Sequence, residues 1–409
     1  MNAIVGNACH VSGLPTVDEA LAMLLGGVAA VQETESLTLA QAAGRLLAHD
    51  AVAALSVPPC DRSAMDGYAF RYDDAAPLRL IGSALAGKPY TGAIEPGECV
   101  AIATGGAVPA GCDTVAMREL CTVTSNGVVV SARARGINIR RRGEDFQAGA
   151  SLLPAGTVLG ARQIGLLAAA GLETALVRRR LRVALVSMGD ELAGNGPDAI
   201  QDANRPLLQA LCIGNGFQVT DLGILPDSRA WLAQTLAQAA ANHDVILTTA
   251  GTSVGDEDHV RGAVLDCGGQ LRIAGVAVKP GKPVSFGRIG RANIVALPGN
   301  PAAAYITFLL LGLPLLRRRA GSGMPPALWQ RVRAGFDHRK KPGLREYLRV
   351  RLVPGSDGIP GAERCRNEGS AMLASLAAAD GLVVLGEADT EIREGDLLPF
   401  ATFAALEAP

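Results

Sequence analysis

Aromatic residues make up only 4% of this 409-residue chain, and its charges nearly cancel, Lys+Arg 38 against Asp+Glu 39. A chain with no basic excess and few rings lacks both the electrostatic footprint and the stacking platforms of a nucleic-acid binder. The eight cysteines are scattered (Cys9, Cys60, Cys99, Cys112, Cys121, Cys212, Cys267, Cys365) with no C-x-x-C pair, and the five histidines are equally dispersed. Neither a disulfide framework nor a zinc site is specified, and reduced buried thiols follow. Met1–Pro15 has no basic stretch ahead of an apolar core, as a signal peptide would. The longest apolar run, Ala302–Leu311, falls short of the ~20 residues of a membrane span, and Gly312 and Pro314 interrupt its extension. No Ser-His-Asp or Cys-His set can be nominated, which argues against nucleophilic catalysis. These absences predict a cytoplasmic protein with no membrane and no nucleic-acid partner.

What is present is a large apolar fraction, 49%, enough for several cores, and the length predicts about two to four domains. Thr16-Val17-Asp18-Glu19 reads as a capping box ahead of a helix, and Ser36–His49 as a second helix. From Ala51 to about Glu144, short apolar runs between Gly, Pro and Asn turns predict a mostly β module. A helix at Ala161–Ala170 follows, and could pack on the first helices to make one discontinuous domain. Arg178-Arg179-Arg180 reads as a solvated linker. From Leu181 to Leu316 strands alternate with helices, which predicts a parallel sheet covered on both faces, with ligands beyond the carboxyl ends of its strands. Leu348–Leu352, Leu382–Leu385 and Leu397–Phe400 predict a small C-terminal β domain. The boundaries expected are 1–50 with 146–178, 51–145, 179–322 and 323–409.

Several loops could do chemistry. Gly251-Thr252-Ser253-Val254-Gly255-Asp256-Glu257-Asp258 follows the strand Val245–Thr249. Its glycines can turn N–H groups toward an anion, and its carboxylates are compatible with that anion if a divalent cation lies between. Ser187-Met188-Gly189-Asp190-Glu191 sets two carboxylates at a strand end, suited either to hydrated magnesium or to capping and solvation. Leu297-Pro298-Gly299-Asn300-Pro301 has helix-start chemistry, read equally as an anion site or as a cap. Lys279-Pro280-Gly281-Lys282-Pro283 puts two amines on a stiff loop, an anion clamp or a solvated turn. Within the β module, Cys60–Ala69, Thr104–Gly111 and Arg140–Asp145 are polar loops, each weak alone, and the last fits a salt-bridged surface.

In this order the motifs SAMDGYA (Ser63–Ala69), RRRGED (Arg140–Asp145), GDEL (Gly189–Leu192), SVG..D (Ser253–Asp258), KPGKP (Lys279–Pro283) and LPGNP (Leu297–Pro301) resemble the MoeA family, the molybdopterin molybdenumtransferases, also found as the C-terminal part of gephyrin-like proteins. The resemblance runs from Thr16 to about Phe400. It implies an α/β multidomain fold: a parallel α/β sandwich (molybdopterin-binding, MogA-like), an inserted mostly-β domain, an N-terminal helical linking domain and a C-terminal β-barrel-like domain, in an elongated homodimer. It implies magnesium-dependent insertion of molybdate into adenylylated molybdopterin, giving molybdenum cofactor and AMP. Asp190, Glu191 and Asp258 would handle Mg2+. Ser253, Gly255, Pro298, Gly299 and Asn300 would hold phosphate groups, and Lys279 and Lys282 would balance charge. Asp66, Thr104, Arg140 and Asp145 match β-module site residues, leaning over the partner subunit's crevice; Asp227 and Ser370 also match. Asp66, Asp145, Glu191, Asp227 and Asp258 are the catalytic candidates. A molybdopterin adenylyltransferase and molybdoenzyme apoproteins are implied partners. Two departures stand out: Ala250 where the family commonly has a second glycine, and Gly275 where some members carry a lysine. The alternatives are adenylylation of molybdopterin by ATP and a non-catalytic cofactor carrier or scaffold.

Overall fold

The computed structural model describes residues 13–131, 134–193, 199–249, 259–322, 329–355 and 358–408. The capping box forms as read: Thr16 Oγ1 accepts from the Glu19 N–H and the Glu19 carboxylate accepts from the Thr16 N–H. The helix Val17–Leu25 then buries Val17, Ala20 and Leu24 in the core of the α/β unit. The expected second helix is a correction. Thr34–Thr38 is a strand, antiparallel to Thr174–Arg178, and only Leu39–Ala42 is helical. Its Leu37, Leu39, Ala42 and Leu47 share one apolar cluster with Leu159, Leu167, Ala175 and Val177, so the tertiary pairing overrides local helix propensity.

The arginine run is also corrected. Arg179 donates to both Asp244 oxygens (2.7 and 3.0 Å), and Arg178 donates to the Val31 carbonyl (2.6 Å). These side chains lock the N-terminal segment to the α/β unit instead of standing in water.

The β module carries a four-stranded sheet in the order Arg79–Ala84, Glu98–Ile102, Gly67–Phe70, Thr114–Met117. Gly67 is forced at its centre, since a Cβ there would stand 1.8 Å from the Ala116 carbonyl oxygen.

In the α/β unit the sheet order is Gln218–Leu225, Arg182–Met188, Val245–Thr249, Ala292–Leu297, Ser285–Ile289, Gln270–Ala274. The first four strands are parallel, as the alternating pattern predicts. The last two are not: a tight hairpin at Gly290-Arg291 makes Ser285–Ile289 antiparallel to Ala292–Leu297, and Gln270–Ala274 pairs antiparallel again. The sheet is therefore mixed, because a short connection permits only antiparallel pairing. Its core lies on both faces, with Leu185, Leu247 and Val295 on one and Ala184, Ile246 and Ile294 on the other. Pro301–Thr307, a π turn at Phe308–Gly312 and Leu313–Ala320 form one interrupted helical segment.

The C-terminal unit is a closed five-stranded barrel: Arg345–Val353, Gly361–Arg364, Gln330–Ala334, Leu397–Thr402, Gly381–Leu385 and back to the first. Val278–Lys279 adds to it from outside, parallel to Arg345 and Glu346. Among the described residues all seven cysteines are free thiols, and no helix is long and apolar enough to cross a membrane.

Burial opposes the charge of Asp244, but Arg179 and the Arg182 N–H outweigh it and hold the carboxyl below its usual range. A depressed acid stabilises the fold above its unfolded pKa of about 4 and loses that contribution as pH falls through the folded value. Asp244→Ala is expected to cost about 1–3 kcal/mol at neutral pH, because Arg179 loses its partner. Asp244→Asn should flatten the acid limb of stability against pH. Denaturant unfolding between pH 3 and 7 checks both.

Candidate functional site

Parallel strands end in polar turns at one edge of the sheet, Arg182–Met188 and Gln218–Leu225 side by side and Ala292–Leu297 beyond Val245–Thr249. After Arg182–Met188 the chain turns through Gly189 at φ +141°, where a Cβ would stand 2.5 Å from Glu191 Oε2. Gly189 therefore allows the Glu191 carboxylate to lie over the turn. The next strand ends at Leu225, and Asp227 follows. Asp227 N–H donates to Asp190 Oδ1 (3.2 Å) and Asp190 N–H donates to Asp227 Oδ2 (3.4 Å). Asp190, Glu191 and Asp227 are exposed, so the rim is acidic and open to water.

The turn after Ala292–Leu297 behaves differently from its reading as a cap. Asn300 occupies the N-cap position without a side-chain cap bond. Its Nδ2 donates instead to Ser370 Oγ (2.9 Å), and the Ser370 carbonyl accepts from Ala302 N–H (3.0 Å). Helix-terminal donors are thus satisfied by the barrel, a role that sequence alone gave no means to assign. Asn204 Nδ2 fixes the turn from below by donating to the Gly299 carbonyl (2.7 Å).

Between this turn and the barrel lies a cleft of about 490 Å³ that includes Lys279, Lys282, Pro298, Asn300 and Ser370. Lys279 Nζ pairs with Glu346 Oε1 at 2.7 Å, while His338 Nε2 approaches Glu346 Oε2 at 3.3 Å. Arg364 donates to His338 Nδ1 (3.1 Å), which leaves the Nε2 proton for Glu346. The other side of Arg364 holds Glu368 (2.8 Å). Burial pushes the Glu346 acid up, but Lys279 and His338 outweigh it and hold it below the usual range. Arg349, 3% exposed, donates to the carbonyls of Gly369 (3.0 Å) and Met372 (2.8 Å) and so shapes the loop carrying Ser370. On the opposite wall, Gly281 sits at φ +109°, and a Cβ there would meet Thr307 Cγ2 at 2.0 Å. Lys282 thus projects from a backbone pressed onto the interrupted helix.

The β module assembles its own group. Asp66 Oδ1 accepts from the N–H (2.7 Å) and hydroxyl (2.8 Å) of Thr104, which hold its carboxyl below the usual range. Arg140 lies opposite Arg62 in a short ladder, and Arg62 donates to the Gly105 carbonyl (2.6 Å). Asp145 joins through its N–H to Val57 O (3.0 Å). Within the RRRGED run, Arg141 pairs with Asp61 at 2.7 Å, in keeping with a salt-bridged surface.

Of the expected site residues, Lys279, Lys282, Pro298, Asn300 and Ser370 meet in the cleft, with Gly299 in its turn. Asp190, Glu191 and Asp227 share the acidic rim, and Asp66 and Thr104 bond directly. Ala250, Ser253, Gly255 and Asp258 lie outside the described residues. Among those described, no three His, Cys, Asp or Glu side chains stand together as a metal cage. The sequence reading missed Glu346, His338, Arg349 and Arg364. The signal was a carboxylate and a guanidinium inside the buried strand Arg345–Val353, a costly placement without partners.

Comparison with known proteins bears on this geometry. Residues 15–171 match the family description "MoeA N-terminal region (domain I and II)", 184–318 "Probable molybdopterin binding domain", and 331–403 "MoeA C-terminal region (domain IV)". A molybdopterin molybdenumtransferase of Haemophilus influenzae is 32% identical over 95% of this chain and 98% of its own. One from Nostoc sp. is 35% identical over 89% and 87%. The crystal structure of a molybdopterin biosynthesis moeA protein from Pyrococcus horikoshii OT3 superposes with a TM-score of 0.82, 25% identity, and coverage of 95% and 100%. The chain belongs to the MoeA family of molybdopterin molybdenumtransferases. It is a transferase of molybdenum cofactor biosynthesis.

The cleft walls predict two outcomes. Glu346→Ala should destabilise the protein by about 1–3 kcal/mol, discounted because Lys279 can turn to water while His338 cannot. Gly281→Ala should cost about 1–3 kcal/mol through overpacking, and Thr307→Ser should recover part of it by removing Cγ2. Thermal unfolding of the single and double variants measures both.

Proposed function

We propose that this chain inserts molybdenum from molybdate into adenylylated molybdopterin and releases AMP. The observation that carries the reading is the cleft between sheet edge and barrel, where Lys282, Asn300 and Ser370 face a space already bordered by the Lys279–Glu346 pair. Two anionic substrates must meet there, and a fixed arrangement of cations and donors lowers the repulsion between them. Lys282 and Ser370 suit a tetrahedral oxyanion: one supplies charge, the other a hydroxyl donor. The pterin phosphates would lie toward the Pro298–Asn300 turn and the 253–258 loop. Catalysis is then positioning plus charge neutralisation, while the dithiolene sulfurs that take the metal belong to the substrate.

Mg2+ suits the acidic rim, because it binds through one or two carboxylates, waters and substrate phosphates and needs no protein cage. Asp190 and Glu191, with Asp258, would hold it, and it would supply charge neutralisation at the phosphoanhydride. Asp227 orders Asp190 through their paired hydrogen bonds. In a homodimer, Asp66, Thr104, Arg140 and Asp145 would complete the cleft of the partner subunit. A molybdopterin adenylyltransferase supplying the substrate and molybdoenzyme apoproteins accepting the product are the corresponding protein partners.

The test is AMP release from adenylylated molybdopterin under anaerobic conditions. Release should depend on both molybdate and magnesium, and Lys282→Ala should raise the molybdate KM by about tenfold, the loss of one charge-assisted contact. ATP consumption without molybdate would replace the reading with an adenylyltransferase, and cofactor binding without AMP release would replace it with a carrier. For the shared site, mixing Asp66→Ala with Lys282→Ala chains, each weak alone at molybdate well below KM, should raise activity to about a quarter of the unaltered protein's, since half the dimers then hold one intact site. No recovery would mean that each site is built within one chain.

A further inference from the structure

At the other end of the same sheet lies a second, smaller cavity of about 120 Å³ whose lining includes four guanidinium groups, Arg272, Arg288, Arg291 and Arg319. They come from separate places in the chain. Arg272 is on the edge strand Gln270–Ala274, Arg288 on Ser285–Ile289, Arg291 in the hairpin that follows, and Arg319 in the last turn of Leu313–Ala320. Arg288 stands directly across from Asn293, which also borders the cavity.

No carboxylate lines this space, and none of the four arginines forms an ion pair among the described residues. Asp244 is close enough to feel Arg319, but both its oxygens are taken by Arg179. Arg319 Nη1 donates to the Ala29 carbonyl (2.6 Å), while its Nε has no acceptor among the described residues. Arg272, Arg288 and Arg291 are exposed and Arg319 is half-buried, so four like charges border one space, and an anion held there would relieve their mutual repulsion. Charges on edge strands do discourage strand-to-strand association, and arginine suits a helix C-terminus. Neither explanation requires four of them to converge on one cavity.

We propose that this cavity is an anion site for a phosphate-class oxyanion, separate from the catalytic cleft. Its volume of about 120 Å³ admits a tetrahedral oxyanion. Planar guanidinium forks match the oxygens of such an ion. Its position makes it distinct from the cleft. Asn293, the second residue of the strand Ala292–Leu297, borders this cavity, while Pro298 and Asn300 follow the strand's far end in the cleft, about 20 Å away at the rise of an extended strand.

The experiment is calorimetric titration of the full-length protein with inorganic phosphate, repeated with AMP, at constant ionic strength set with chloride. The expected result is saturable phosphate binding that weakens by at least about tenfold in Arg288→Ala/Arg291→Ala and is retained in the cleft variant Lys282→Ala. AMP binding that follows the same arginine dependence would identify the phosphate end of a larger molecule as the ligand, with its nucleoside outside. Phosphate binding without AMP binding would identify the free ion. Arg272→Gln, on an exposed strand position, is the second variant and should weaken binding in the same direction with an unchanged melting temperature. Absence of saturable binding, or binding that responds only to Lys282→Ala, overturns the proposal. AMP release by the arginine variants should match the unaltered protein, so failure of this site and failure of the insertase reading are separable.

Discussion

The two residues Val278 and Lys279 couple the barrel to the α/β unit, and the cleft depends on them. Their backbone pairs parallel with Arg345 and Glu346, which commits the first strand of the barrel to lie beside the lysine-bearing loop. The side chains repeat the connection, since Lys279 closes on Glu346 at 2.7 Å. Arg345 then reaches across to Asp18 of the first helix with two bonds of 2.8 and 2.7 Å. Three segments far apart in sequence thus meet along one strand, and the cleft lies on the side of that strand bearing Lys279 and Glu346. A buried carboxylate in a site for anions looks contrary at first. It is what holds Lys279 in one place, because an unpaired lysine would spread its charge over many rotamers in water.

That arrangement separates two jobs among the cations. Lys279, tied to Glu346, fixes geometry, and Lys282 borders the cleft with no ion pair among the described residues. Arg349 works through the backbone, holding the loop that delivers Ser370. Ser370 in turn uses its carbonyl on the helix start and its hydroxyl on Asn300. The barrel therefore finishes the helix N-terminus instead of leaving it free, and the hydroxyl side of that contact borders the cleft. The acidic rim formed by Asp190, Glu191 and Asp227 stands at neighbouring strand ends, on the same edge of the sheet as the Pro298–Asn300 turn that borders the cleft.

Much of this was legible in the chain. Buried runs such as Val245–Thr249 and Asn293–Leu297 specified central strands, and the turns after them specified where polar residues gather, because parallel strands send their carboxyl ends to one edge. The motifs named the loops that line the cleft. The reading failed where a long-range partner decides the outcome. Thr34–Thr38 became a strand because Thr174–Arg178 lies beside it, and the two antiparallel strands fall in a segment to which the reading assigned no strand. Arg179 was read as solvated because Asp244, sixty-five residues away, could not be foreseen as its partner. Glu346 and His338 were missed for the same reason: single polar residues gain meaning only once folding brings their counterparts within reach.

Gly275 shows how such a departure can be built into the backbone. At φ +89° it occupies a conformation that glycine adopts freely and a lysine reaches at a cost of roughly 1–2 kcal/mol. A Cβ at this position would also stand 3.1 Å from Leu14 Cδ2, so the neighbouring chain has closed over it. Gly275 N–H donates to the Val284 carbonyl and Val276 N–H to the Lys282 carbonyl, which makes this turn the support beneath Lys282 itself. The cation absent at position 275 is therefore not a simple vacancy that a single reversion would fill. Introducing lysine there would disturb the hairpin that aims Lys282, and the charge gained would come with a displacement of the charge already in place. In this chain Lys282 borders the cleft, and Lys279 with its buried carboxylate fixes the wall beside it.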